Sequence, residues 1–137
     1  MTTPIVLMLE DDDERLARFW AVAERLGVEI IDWPDAREMI AELSEHLASV
    51  ALISLDHDLM PIHDIEPGDG LDVAKYLATL PPACPVVIHT SNRLRGDMME
   101  GELDLAGWKS RRVAPIGDDW IEVDWSRVVK RLLKARR

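Results

Sequence analysis

Five ionisable side chains fall within nine residues of the segment LISLDHDLMPIHD, residues 52–64: Asp56, His57, Asp58, His63 and Asp64. They follow Leu52, Ile53 and Leu55, an apolar run of the kind that forms a buried strand. Carboxylates delivered to the edge of a core are costly without partners, so this segment calls for a cation, a hydrogen-bond network or open water. Two other segments have the same form. Ile5–Leu9 runs into Glu10, Asp11, Asp12 and Asp13, and Val86–Ile88 runs into His89, Thr90, Ser91 and Asn92. Carboxylate oxygens suit a hard divalent ion such as magnesium or manganese. Neutral imidazole serves as a general acid or base near neutral pH, and hydroxyls at a helix N-terminus hold phosphate oxygens. Combined, these groups fit phosphoester hydrolysis: charge on the phosphate is offset, water is positioned, and the histidines move protons.

Each group also has a plain structural use. Asp11 and Glu14 have capping-box spacing, Asp12 and Asp13 suit the charge of a helix N-terminus, and Asn92 is of the type that caps a helix. His46 sits near a helix end, His63 and Asp64 read as surface loop, and Arg93 and Arg95 as exposed helix arginines. Because strand side chains alternate, His57 is expected to point away from Asp56, with Asp58 returning to the same side.

The elements that position these residues follow from hydrophobic spacing. Strands are predicted at 5–9, 28–33, 50–55, 86–89 and 112–116. Between them, residues 12–26 carry Leu16, Phe19, Trp20, Ala23 and Leu26 on one face, with Gly27 placed to stop the helix. Asp35 and Glu38 repeat the capping spacing before Met39, Ile40, Leu43 and Leu47; Leu71–Leu80 is halted by Pro81-Pro82; residues 92–106 form a weaker helix. Trp125, Val128, Val129, Leu132 and Leu133 define an amphipathic last helix. Apolar strands alternating with helices predict an α/β fold, a doubly wound five-stranded parallel sheet with helices on both faces and a single domain over 1–137. In such sheets ligands bind beyond the carboxyl ends of the strands, near the switch in strand order. That is where all three polar clusters lie if the first, third and fourth strands are neighbours.

Composition narrows the partners. The formal net charge is −10; residues 127–137 hold six basic residues, leaving ten against all 26 acids in the rest of the chain. So acidic a body repels long nucleic acid. No apolar run reaches membrane-spanning length, and the N-terminus has no basic leader, so a cytoplasmic protein with no membrane partner is expected. One cysteine, Cys84, excludes an internal disulfide framework.

IVLMLEDDDERL, LISLDHDL and CPVVIHTSN resemble the acidic pair, phosphoacceptor strand and threonine-bearing strand of response-regulator receiver domains. The resemblance spans essentially the whole chain. It implies that Glu10 and Asp11 match the acidic pair, Asp56 the phosphorylated aspartate and Thr90 the conserved hydroxyl, with magnesium held by the acidic pair and Asp56. One departure is plain: in RRVAPIG, Ala114 precedes Pro115 where receivers carry a lysine. Lys109, Arg111 or Arg112 is the expected substitute source of charge. LEDD, DHDL, HTSN and SNRLRGDMMEGELDLAGW resemble a receiver-derived group, the cyclic-phosphate-processing receivers.

That resemblance implies processing of cyclic phosphate esters, of a nucleotide or an RNA end, with a divalent metal, magnesium or manganese, as cofactor. The expected ligands are Asp11 and Asp56, with Glu10 through water. His89, His57 and Asp58 are the expected acid–base set, and Thr90, Ser91 and Asn92 the phosphate-binding set. The alternative is a signalling module that accepts phosphate on Asp56, or binds a separate protein partner without turnover.

Overall fold

A computed structural model describes residues 3–61 and 64–136; His63 lies outside them. The strands are β1 (Ile5–Leu9), β2 (Glu29–Trp33), β3 (Val50–Leu55), β4 (Val86–Ile88) and β5 (Ser110–Arg112). They form a parallel sheet in the order β2-β1-β3-β4-β5. The helices are α1 (Asp13–Leu26), α2 (Ala36–Glu42), α3 (Gly70–Leu77), α4 (Arg93–Leu105) and α5 (Ser126–Ala135). A wide π-helical turn, Ile121–Trp125, leads into α5.

Period-two alternation divides the strands between two cores. Leu7, Leu9, Ile53, Leu55 and Ile88 pack with residues of α2, α3 and α4; Val6, Met8, Leu52 and Val87 pack with residues of α1, α5 and the π-helical turn. Every residue of β3 is buried, as expected of the central strand of a sheet covered on both faces. The doubly wound α/β architecture is therefore present. No helix among the described residues is long and apolar enough to cross a membrane.

Three boundaries differ from the sequence expectation in ways that bear on the site or by more than one residue. The cap of α1 is Asp12, whose side chain accepts from Arg15 N, rather than Asp11. Either aspartate satisfies the cap chemically; with Asp12 in that place, Asp11 stays in the loop and accepts instead from Met60 N. The fifth strand starts two residues early, at Ser110, because parallel pairing matches Val86–Ile88 to Ser110–Arg112. The third helix ends at Leu77 rather than at the proline pair. Gly27 stops α1 as expected, in the left-handed conformation at φ 71°.

Register brings the polar strand ends together. Leu9 pairs with Leu55 and Leu55 with Ile88, so the next residues, Glu10, Asp56 and His89, emerge side by side. The pairing continues through them: Asp56 N donates to Leu9 O (3.1 Å) and His89 N to Leu55 O (2.9 Å).

Candidate functional site

Glu10, Asp11 and Asp56 each offer a carboxylate oxygen, and the three lie within 4.8 Å of one another. Glu10 is fully buried. Its Oε2 accepts from the backbone N–H groups of Asp11 and Asp12, and its Oε1 lies 3.1 Å from His89 Nε2. Burial alone would raise the Glu10 carboxyl, but the hydrogen bonds from His89 and Asp12 N, with the Arg15 charge nearby, bring it below its ordinary value. Asp56 has less support. One of its oxygens, Oδ1, accepts from His57 N at 2.7 Å. Burial chiefly, with the Glu10 charge adding, pushes its carboxyl up to about 6. Asp11 is raised as well, first by its partial burial. Two carboxyls held above their ordinary range beside a third that stays charged make a set that a divalent cation would relieve. The donors are all hard oxygens, so they fit magnesium or manganese.

His89 is fully buried against Phe19 and Trp120, with ring centroids 5.1 Å and 6.1 Å away, and Trp125 packs on Phe19 at 4.7 Å. Both its nitrogens are engaged: Nδ1 lies 2.8 Å from Ser54 Oγ, which accepts from Trp125 Nε1 at 3.1 Å, and Nε2 faces Glu10. The Glu10 carboxylate can only accept, so His89 donates from Nε2. Nδ1 then accepts from the Ser54 hydroxyl, whose own oxygen takes the indole N–H. This buried line, Trp125–Ser54–His89–Glu10, sets the tautomer of His89. It reaches the crevice only through Glu10. Side-chain alternation explains the arrangement: Glu10, Ser54, Asp56 and His89 all lie on the α1/α5 side of their strands.

His57 turns to the opposite side, as alternation predicts. Its Nδ1 lies 2.8 Å from Asp58 Oδ1. Its Nε2 is buried, makes no hydrogen bond among the described residues and lies 3.6 Å from Asp69 Oδ2. Asp69 caps α3 in a capping box with Asp72, which brings that helix start against the end of β3. The approach is so close that a Cβ on Gly70 would fall 2.0 Å from Asp56 O, so only glycine fits there. Asp58 also accepts from Asn92 Nδ2, at 3.5 Å.

The expected phosphate-binding set occupies the start of α4. Asn92 caps that helix by accepting from Arg95 N, and the buried Thr90 Oγ1 accepts from Asn92 N; Ser91 is exposed. Of the positive groups expected to stand in for the missing lysine, Arg112 is committed elsewhere, to Asp97 and Glu100 on α4, and Arg111 and Lys109 are exposed.

The cation at the carboxylates is Arg15, which the sequence reading missed. Its guanidinium lies 3.7 Å from Glu10 Oε1 and 3.6 Å from Asp56 Oδ2. A signal did exist. Arg15 stands three residues past the Asp12 cap, and helical side chains lean toward the N-terminus, over the strand ends.

Residues 6–105 match the model of the cyclic-phosphate processing receiver domain. The chain belongs to this family. Among curated proteins none matches it. Among solved structures, this receiver is similar to the receiver domain of Francisella response regulator 1452, with TM-score 0.70 and 18% identity over 98% of this chain and 100% of that one. It is also similar to a CheY-like receiver domain from Methanospirillum hungatei, with TM-score 0.68 and 14% identity over 99% and 100%. A third relative is in the CheX–CheY complex of Borrelia burgdorferi, solved with beryllofluoride and magnesium (TM-score 0.69, 15% identity, 98% and 90% covered). At these identities the likeness establishes the receiver fold.

Proposed function

We propose that this receiver is a metal-dependent phosphoesterase acting on cyclic phosphate esters, of a nucleotide or an RNA end. The observation that carries the reading is His57, one residue from Asp56. Its ring is held at Nδ1 by Asp58, while Nε2 has no hydrogen-bond partner among the described residues. An Asp-oriented imidazole is the arrangement of a general base; its unpartnered Nε2 is buried 3.6 Å from Asp69 Oδ2, and the exposed Asp58 carboxylate links the ring to the crevice at Asn92. A divalent ion held by Asp11, Asp56 and Glu10 would offset charge on the phosphate oxygens.

In the reaction, a water oxygen bonds to phosphorus and one ring P–O ester bond breaks. The His57–Asp58 pair takes the water proton and returns it to the released oxygen, giving a phosphomonoester. Asn92, Thr90 and Ser91, at the start of α4, place the phosphate against that helix N-terminus. His89 acts differently from the sequence expectation: walled in and bonded at both nitrogens, it orients Glu10.

Turnover of 2′,3′-cyclic nucleotides with magnesium or manganese tests the reading. His57→Ala is expected to lower the rate by about 10²-fold or more, with folding intact. A pure, folded wild type that hydrolyses no cyclic phosphate with either ion overturns it. The signalling alternative draws on Asp56 at the end of β3, with the Thr90 hydroxyl on the neighbouring strand end. A lasting, stoichiometric acyl phosphate on Asp56, read by intact mass, would put that alternative first.

A further inference from the structure

We propose that Arg15 is the substrate-phosphate anchor of this site, gripping the two non-bridging oxygens of a phosphodiester with its guanidinium fork. The proposal takes its substrate class from the phosphoesterase reading, while the anion binding stands on the geometry. Arg15 is unlike the chain's other paired arginines. Arg18 is bound to both oxygens of Glu122 and to Asp118 O, and Arg112 to two carboxylates; Arg37 and Arg127 each bond one carboxylate. The Arg15 guanidinium makes no hydrogen bond among the described residues, although it lies 3.6–3.7 Å from Asp56 and Glu10. Those separations give attraction without committing its donors.

The group is nevertheless held in place. Its central carbon lies 5.4 Å from the centroid of the Trp120 ring, a cation–π contact with a buried indole. A planar cation is thus stacked at the mouth of the carboxylate cluster, partly exposed, with its N–H groups uncommitted. Such a fork is suited to paired oxygens on one phosphorus.

Charge favours the same assignment. Three carboxylates around one divalent ion leave a negative charge over, and a phosphodiester brings another. Without a further cation the site would repel its own substrate. With Ala114 in the lysine position and Arg112 tied to α4, Arg15 is the cation the structure places against Glu10 and Asp56. A cyclic phosphodiester carries one charge shared over two equivalent non-bridging oxygens, which a bidentate guanidinium matches and a point-charge ammonium does not.

The test compares Arg15→Met and Arg15→Lys with the wild type, using calorimetric binding of 2′,3′-cyclic AMP in saturating magnesium, and inorganic phosphate as a second probe. Both variants are expected to fold and to bind magnesium at least as tightly as the wild type. Arg15→Met should weaken the cyclic probe by about tenfold or more, as for a lost charge-assisted hydrogen-bonded pair. Arg15→Lys should fail to restore the affinity, and KM should rise in the same ratio with kcat less affected. Unchanged probe affinity in Arg15→Met overturns the proposal, leaving Arg15 as a neutraliser of the carboxylates. Full rescue by lysine overturns the bidentate grip. Failure of the wild type to bind either probe also overturns it. Arg15-dependent binding without turnover supports the anchor while rejecting the phosphoesterase reading, so the two fail separately.

Discussion

Replacing Ser54 by alanine removes one oxygen and should cost far more than one surface hydroxyl. Ser54 is fully buried, and its Oγ is the joint between Trp125 Nε1 (3.1 Å) and His89 Nδ1 (2.8 Å), both on fully buried residues. In Ser54→Ala the indole N–H loses its acceptor and the imidazole nitrogen its donor, and the surrounding Phe19 and Trp120 offer no replacement. An orphaned buried polar group costs about 1–3 kcal/mol, so two of them predict a loss of about 3–4 kcal/mol. For a domain near this length that corresponds to a fall in Tm of roughly 10–15 °C. Denaturant unfolding of wild type, Ser54→Ala and Ser54→Cys measures it, with the thiol, a weak donor and acceptor, falling between the other two. A loss below about 1 kcal/mol in Ser54→Ala would refute the buried line as a satisfied network, and with it the tautomer assigned to His89.

Metal binding and pH should be linked through Asp56. Its native value, pushed up to about 6 mainly by burial, lies above the ordinary 3.8, so the native state holds the proton more tightly between those values. Stability of the metal-free protein therefore falls as pH rises across that window. The ion needs the carboxylate, so the gain in Tm on adding magnesium should be small at pH 5 and full above about pH 7. At 100-fold excess over Kd it is worth about 2.7 kcal/mol. Equal gains at both pH values would argue against Asp56 as a ligand. The neighbouring aspartates should separate cleanly in the same thermal assay. Asp12→Ala should lower stability by about 1 kcal/mol through loss of the α1 cap and keep the magnesium response, whereas Asp11→Ala should abolish the response.

The sheet and much of the site were readable from the chain because they rest on local rules. The apolar runs at Ile5–Leu9 and Val50–Leu55 are strands to the residue, since each is wholly apolar or small and ends in acid. Asn92 caps α4, and the acids after two of the strands meet because in-register parallel strands end together. Period-two alternation also turned His57 away from Asp56, and applied to Ser54 it would have placed that hydroxyl with His89.

What the tertiary structure decided depends on contacts between distant parts of the chain. The histidine at the end of β4 looked available for proton transfer. It is closed off because Phe19 of α1 and Trp120 near the C-terminus pack against it, with Trp125 behind Phe19 and bonded to Ser54, an enclosure no local pattern reports. The choice of Asp12 over Asp11 as the cap was open chemically. Register put β5 at Ser110–Arg112, and the close packing of α4 against it took Arg112 away from the site. The positive charge sought near Ala114 came instead from α1, through a side chain whose reach depends on how that helix sits over the strand ends. Spacing along a chain sets which face of an element a side chain occupies. What stands opposite that face is set by helices and strands far away in sequence, and so is settled only by packing.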